Sequence, residues 1–152
     1  MAPSKGVKRI RYEDKCCLAY TQFLQAHNVD FIRIASEIPT KSFGVIARLQ
    51  REGWRAGEPD YFICHPVMPY AGLFVEMKSE RNQFPTKNDE QLKILLLRAR
   101  QGYASFCCRG AEAAILVTEH YLNNGELIHT CKKGVKELVR CYNKVWEDMQ
   151  IV

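Results

Sequence analysis

The apolar positions near the start of the chain recur at the spacing of a helix. Cys17, Tyr20 and Leu24 fall on one face of a predicted helix over residues 13–26, and Glu13 lies at the N-terminal end of the same face. An acid at this place either turns inward with the apolar stripe or is simply a first-turn residue that the helix dipole favours. The pattern leaves both interpretations open.

Three later segments have the composition and partial alternation of strands. They are residues 29–35, 61–65 and 73–79. The loop over residues 66–72 contains two prolines and a glycine, which suits a turn between antiparallel neighbours. A basic segment between the first two strands predicts a short helix over residues 43–51, with Ser42 as its N-cap.

A leucine-rich helix is predicted after the third strand. It begins at residue 87 or 89 and ends at residue 101, and either Thr86 or Asn88 is its N-cap. With Asn88 as the cap, Gln91 takes the third helical position, as in a capping box. A strand over residues 103–108 follows, and a strand–helix–strand unit of this kind favours parallel pairing through a right-handed crossover.

The last part of the chain predicts two more helices. One covers residues 112–121, and the other covers residues 135–149 with a wide apolar face. A turn at residues 124–125 and a short strand over residues 126–130 are expected between them. The complete order predicts a single α/β domain over all 152 residues, with an αβββαβ core, a mixed sheet and a C-terminal helix.

Composition and charge narrow the class of protein. No apolar run approaches the roughly 20 residues that a membrane helix needs. The basic N-terminus has no apolar segment behind it, so no secretion signal is expected and the protein is expected to stay inside a cell, cytoplasmic or nuclear depending on the host. The net charge of +5 favours a polyanionic partner.

The seven cysteines do not form a recognised metal or disulfide pattern. Most lie within apolar stripes, which is typical of small buried thiols in a reducing compartment. Cys64, His65, His129 and Cys131 are residue types that bind zinc, but their spacing matches no known zinc motif.

Two charges stand inside the third predicted strand. Glu76 and Lys78 project from the same face, about 6.6 Å apart along the strand. Asp60 opens the preceding strand, and the turn between the two strands can bring it alongside Glu76. Carboxylates in apolar strands are costly without partners, and a divalent ion would be a fitting partner. The alternative is an ordinary ion pair at a solvated sheet edge, with Asp60 as a turn residue after proline.

The order of these residues resembles a known family. The segment GEPD at residues 57–60, the EMKS segment at residues 76–79, Gln91 on the next helix and Glu13 on the preceding helix are similar to the VRR-NUC (virus-type replication-repair nuclease) branch of the PD-(D/E)xK nucleases. The resemblance covers about residues 10–117, which makes residues 118–152 a C-terminal extension. It implies a restriction-endonuclease-like fold and a metal-dependent DNA endonuclease.

The resemblance also implies roles for the residues that carry it. Asp60, Glu76 and the backbone carbonyl of Met77 would hold Mg²⁺ or Mn²⁺, an ion that needs only one or two carboxylates. Lys78 would position the attacking water or stabilise charge on the phosphate, and Gln91 would orient Lys78 or the water. Glu13 would contact metal-bound waters or support a second ion, and Glu37 is the alternative upstream acid.

The basic residues before the GEPD segment are candidates for DNA binding. They are Lys41, Arg48, Arg51 and Arg55, although a solvated helix face explains the same run of charge. Trp54 would stack on a base or pack internally. The resemblance further implies a homodimer that cuts branched DNA, as Holliday-junction resolvases do. The wide apolar face of the last helix is a candidate interface, although packing against the sheet explains the same face. The alternatives are a flap or duplex nuclease of the same chemistry and an inactive nucleic-acid-binding module.

Overall fold

The structure, a computed structural model, describes residues 12–34, 41–86, 88–124 and 137–144. Its helices are α1 (Tyr12–Ala26), α2 (Phe43–Arg51), α3 (Glu90–Arg100) and α4 (Ala111–Asn124). Its strands are β1 (Phe31–Arg33), β2 (Tyr61–Ile63), β3 (Leu73–Lys78), β4 (Ala104–Arg109) and β5 (Val139–Cys141). The predicted α/β class is confirmed. None of the helices in these ranges is long and apolar enough to cross a membrane.

The five strands form one mixed sheet in the order β1-β2-β3-β4-β5. The loop after β2 folds β3 back beside it, so that Tyr61 pairs with Val75 in an antiparallel register. Strands β3 and β4 are parallel, and α3 connects them. The predicted antiparallel turn and the predicted parallel pair are therefore both confirmed.

Alternation along β3 assigns its side chains to two different layers. Leu73, Val75 and Met77 belong to the main core, which α1 and α4 complete with Tyr20, Leu24, Val117 and Tyr121. The Tyr20 hydroxyl is 2.6 Å from the Thr118 hydroxyl and ties α1 to α4. On the opposite face, α3 packs Leu95 and Ala99 against Cys107 and Tyr142. The sheet thus lies between two helical layers, and Glu76 and Lys78 are on the α3 side.

The predicted C-terminal helix over residues 135–149 is wrong at residues 139–141, which form β5 antiparallel to β4. Burial alternates there, since Val139 is buried and Arg140 is exposed. The free edge of β4 offers backbone hydrogen bonds that a lone helix could not use, and the Arg109 N–H donates to the Leu138 carbonyl at 2.7 Å. A helical turn follows at residues 142–144. The remainder of that predicted helix, and the predicted strand over residues 126–130, lie outside the described residues.

Predicted helix ends need smaller corrections. Helix α3 is capped at Asp89 rather than at Thr86 or Asn88, and the Asp89 carboxylate accepts hydrogen bonds from the Thr86 N–H and hydroxyl. Ser42 is the N-cap residue of α2 as predicted, but its side chain makes no capping hydrogen bond. Helix α4 continues to Asn124, where the sequence predicted a turn.

Candidate active site

Asp60 lies directly before β2 and meets β3 at its charged end. Tyr61 pairs with Val75 in the antiparallel register of β2 and β3, so the next pair along places Asp60 opposite Glu76. Asp60 Oδ2 accepts a hydrogen bond from the Met77 N–H at 2.8 Å, and Asp60 and Glu76 are only 7% and 2% exposed. The charges that the sequence places in these two strands therefore do meet.

The loop that carries Asp60 is fixed against α3. Gly57 has a φ of +86°, and a Cβ at this position would lie 3.1 Å from the Cβ of Glu90. Only glycine combines this backbone conformation with such a close approach. Glu58 then bridges Arg98 of α3 and Arg55 of the loop, with nitrogen–oxygen distances of 2.6 and 2.7 Å. The contacts hold the Asp60 loop against both ends of α3.

Glu76, Lys78 and Gln91 form a closed ring of contacts. Gln91 Nε2 donates to Glu76 Oε1 at 2.7 Å, and Lys78 Nζ donates to Gln91 Oε1 at 2.9 Å. Lys78 Nζ is also 3.1 Å from Glu76 Oε1. An amide is suited to this bridge because its nitrogen donates and its oxygen accepts. The predicted capping role of Gln91 is wrong, since Gln91 is the second residue of α3 and binds the two strand residues instead.

The buried acid and its basic neighbour both have shifted pKa values. Burial, followed by the negative charge of Asp60, raises the pKa of Glu76 to about 8, against the opposing effect of Lys78. Burial tends to lower the pKa of Lys78, but the attraction of Glu76 outweighs it and leaves the pKa of Lys78 raised. As pH rises, the proton on Glu76 is lost first and Lys78 stays charged.

The oxygen atoms around Asp60 and Glu76 are a donor set that suits a hard divalent ion. Mg²⁺ prefers carboxylate and carbonyl oxygens, keeps several waters and needs only one or two protein carboxylates. The N–H and carbonyl of a strand residue point to the same edge. Because the Met77 N–H faces Asp60, its carbonyl is on the side of β3 that faces Asp60 too. Within the described ranges, no three His, Cys, Asp or Glu side chains group as a metal site.

Glu13 comes to this region from α1. Asn82, just beyond β3, donates a hydrogen bond from Nδ2 to Glu13 Oε2 at 3.2 Å. The negative charge of Glu13 contributes to the raised pKa values of both Glu76 and Lys78, so it acts on the same site. The alternative acid, Glu37, lies outside the described residues.

Arg33 also contacts the site, although it was not among the predicted site residues. Its Nη1 lies 3.0 Å from Asp60 Oδ1 and 2.9 Å from the Asp60 carbonyl. Burial is the largest single effect and tends to lower the pKa of Arg33, but the charge and hydrogen bond of Asp60, with smaller contributions from Cys17 and Tyr61, together leave that pKa raised. A basic residue inside a predicted strand is the same signal that drew attention to Glu76, and it could have identified Arg33. The partners Glu58 and Arg98 gave no such signal.

The four basic residues predicted to bind DNA are exposed; Lys41 precedes α2, Arg48 and Arg51 are on it, and Arg55 is in the loop after it. Arg48 is 3.7 Å from Glu52, and Arg55 is paired with Glu58, so Arg55 helps to hold the Asp60 loop. Trp54 is half-buried. These residues share one surface segment, but they make no described contact with the Glu76 ring.

The four residues of zinc-binding type are only partly within the described chain. Cys64 and His65 follow β2, and His65 Nε2 accepts a hydrogen bond from the Asp30 N–H at 3.2 Å. His129 and Cys131 lie outside the described residues. None of the six cysteines in the described ranges forms a disulfide bond.

The fold is similar to that of a solved structure. A solved structure described as a "VRR_NUC domain protein" superposes with a TM-score of 0.63 and 20% sequence identity, over 81% of this chain and 98% of that chain. No protein-family model matches the sequence, and no curated protein matches it. The likeness extends over nearly the whole compared domain, and it confirms the fold implied by the sequence motifs. This chain has the fold of a VRR-NUC domain.

Proposed function

We propose that this protein is a divalent-metal-dependent DNA endonuclease. The observation that carries the proposal is the meeting of Asp60, Glu76, Lys78 and Gln91 at one end of β2 and β3, within a VRR-NUC fold. Two buried carboxylates, whose mutual repulsion contributes to the raised pKa of Glu76, gain a partner when a cation binds. A pure binding module would have no use for this arrangement.

Each residue has a distinct role in the proposed reaction. Asp60, Glu76 and the Met77 carbonyl hold Mg²⁺ or Mn²⁺, which when bound supplies an activated water and polarises the scissile phosphate. Lys78 keeps its proton, consistent with its raised pKa, and stabilises negative charge that develops on the phosphate. Gln91 orients both Lys78 and Glu76, and Glu13 acts on the same site through its charge.

We also propose that the substrate is branched DNA and that two copies act together. Lys41, Arg48 and Arg51 would contact the backbone phosphates outside the site. Val139 and Tyr142, two residues of the apolar face predicted as an interface, are buried within the chain itself and so are not available to a second copy. The dimer remains a prediction, and light scattering of the purified protein, with and without a four-way junction, tests it directly.

The decisive experiment compares a labelled four-way junction, a flap and a linear duplex in Mg²⁺, Mn²⁺ or EDTA. Wild-type protein is expected to nick the junction in either metal and to be inactive in EDTA. Asp60→Ala is expected to slow cleavage at least about 100-fold, while Glu119→Ala, an exposed acid on α4, keeps wild-type activity.

Other outcomes separate the alternatives. Metal-dependent cutting of the flap or the linear duplex, but not of the junction, would support the proposed nuclease chemistry and refute branched DNA as the substrate. Binding of DNA with no cleavage in either metal would contradict the nuclease proposal and favour an inactive binding module.

A further inference from the structure

A cavity lies on the α3 side of the sheet, next to β4 and β5. It has a volume of about 590 Å³. Its lining includes Phe84, Pro85, Leu92, Arg109, Arg140 and Tyr142. The lining is mainly aromatic, apolar and basic, with two uncharged polar residues, Gln83 and Thr86, and its described residues include no acidic side chain. This composition differs from that of the Asp60–Glu76 site and suits a ligand that is both flat and anionic.

The strand registers relate this cavity to the Glu76 site. Glu76 pairs with Cys107 across β3 and β4, and Cys107 pairs with Arg140 across β4 and β5. Paired residues point to the same face of a sheet, so Glu76 and Arg140 are on one face, about 10 Å apart at two strand spacings. Gln91 contacts Glu76, and its neighbour Leu92 lines the cavity. The first turn of α3 therefore adjoins both sites.

Two arginines in the cavity carry charge that no described carboxylate neutralises. Arg109 is held by backbone carbonyls, those of Glu137 at 2.9 Å and of Glu80. The Arg140 guanidinium lies over the ring of Phe84, 4.6 Å from its centroid, and that of Arg109 lies 5.6 Å from the same centroid. A stacked layer of this kind presents a flat cationic surface that attracts both phosphates and bases.

We propose that this cavity binds one unpaired nucleotide of the substrate strand, close to the phosphate that is cut. The proposal rests on the proposed nuclease function. Arg109 and Arg140 pair with the phosphate of that nucleotide, and its base packs on the Phe84–Arg140 layer against Leu92. A bare phosphate would leave the apolar walls uncovered.

The test is DNA binding in EDTA, where no cleavage occurs. The probe is a fluorescein-labelled oligothymidylate of about eight nucleotides, and the readout is fluorescence anisotropy. Arg140→Ala and Phe84→Leu are each expected to weaken binding about tenfold, the loss that corresponds to one stacked base.

Arg100→Ala is the matched control. Arg100 is an exposed arginine eight residues beyond Leu92 on α3, which places it about 12 Å along the helix. The control removes the same charge and is expected to change affinity less than twofold. An equal loss for Arg140→Ala and Arg100→Ala would overturn the proposal, because it would indicate non-specific attraction.

Two further experiments, cross-linking and competition, identify the ligand. A strand that contains 5-iododeoxyuridine is expected to cross-link under ultraviolet light to the peptide with Phe84 or Tyr142, whereas cross-links confined to α2 would overturn the site. Free thymidine monophosphate, which lacks the neighbouring phosphates of the strand, is expected to displace the strand only at a much higher concentration than unlabelled oligothymidylate does. Displacement at an equal concentration, abolished by Arg140→Ala, would replace the DNA strand with a free nucleotide and overturn the proposal.

The binding test and the cleavage test can fail independently, so the nucleotide site and the nuclease function are tested apart. Arg140-dependent binding in a protein that never cuts DNA would refute the proposed nuclease function and leave the nucleotide site standing. Metal-dependent cleavage with unaltered strand binding and cross-linking in Arg140→Ala would refute the nucleotide site and leave the nuclease.

Discussion

At the scale of single residues, Glu76 is the group whose ionisation most affects the site. It is 2% exposed, and burial, followed by the charge of Asp60, raises its pKa from an ordinary 4.5 to about 8. Between these pH values the folded protein keeps the Glu76 proton while the unfolded chain has lost it. The folded state therefore binds more protons, and this residue makes the protein less stable as pH rises from about 4.5 to about 8.

Urea unfolding in EDTA at several pH values between 5 and 9 measures this effect. The free energy of unfolding of wild-type protein is expected to fall through that window more steeply than that of Glu76→Gln, which cannot ionise there. The comparison uses the slope with pH, so a constant loss of stability in the variant does not affect it. Parallel pH profiles for the two proteins would contradict the raised pKa of Glu76.

Arg33 occupies one oxygen of the Asp60 carboxylate, at 3.0 Å. A metal ion bound by Asp60 has to compete with this guanidinium for the same charge. Arg33→Ala is therefore expected to bind Mn²⁺ several-fold more tightly, measured by electron paramagnetic resonance of the free ion. Arg48→Ala, which removes an exposed arginine from α2, is the control and is expected to bind Mn²⁺ as the wild type does. Weaker binding in Arg33→Ala would mean instead that Arg33 positions Asp60 for the metal.

At the scale of elements, β5 and the turn after it complete the sheet. Asn143 accepts a hydrogen bond from the Ser105 N–H at 2.8 Å and donates one to the Tyr103 carbonyl at 2.7 Å. Asn143 is 5% exposed, so water cannot replace it. The Ser105 N–H in β4 and the Tyr103 carbonyl just before β4 therefore depend on this side chain for their hydrogen bonds. The described C-terminal residues are therefore tied into the same sheet as the candidate site.

Asn143→Ala tests how far the fold depends on that connection. The variant leaves a buried N–H and a buried carbonyl without partners, which is expected to lower the free energy of unfolding by roughly 2–4 kcal/mol. Lys144→Ala, an exposed neighbour, is the control and is expected to change it by less than about 0.5 kcal/mol. Both values come from urea titrations. Equal stability of the two variants would contradict the structural role of Asn143.

At the scale of the whole molecule, a chain with a net charge of +5 presents basic residues on two surfaces. One surface is α2 with Arg48 and Arg51, and the other is the cavity with Arg109 and Arg140. The Asp60–Glu76 carboxylates would repel DNA without a bound cation. Affinity for DNA should therefore come largely from these basic surfaces and should weaken as salt increases.

The double variant Arg48→Ala with Arg51→Ala tests the contribution of α2. If both side chains contact phosphates, the slope of log affinity against log salt concentration is expected to become shallower by about 2. Lys93→Ala with Arg100→Ala removes the same charge from α3 and is expected to leave the slope nearly unchanged. An equal change in both double variants would show that only total charge matters. The readout is anisotropy of a labelled duplex in EDTA.

Sequence by itself determined those features of this protein that depend on residues close together in the chain. Alternation along a strand places Glu76 and Lys78 on one face whatever surrounds them, and helical periodicity brings Glu13, Tyr20 and Leu24 to one face of α1. The turn between β2 and β3 was readable from its prolines and glycine, so the approach of Asp60 to Glu76 could be predicted in outline. These features depend on residues that are near one another in the chain.

Tertiary structure decided what depends on distant partners. The pairing of Arg33 with Asp60 joins residues 27 positions apart, and the bridge from Glu58 to Arg98 spans 40 positions. The sequence allowed Gln91 to be either a capping residue or a site residue, and the packing of α3 against β3 decided for the site. The apolar spacing around Val139 suits a helix, yet the free edge of β4 offers backbone hydrogen bonds and a place in the core. Local periodicity contains no information about such an edge, which exists only once the sheet has formed.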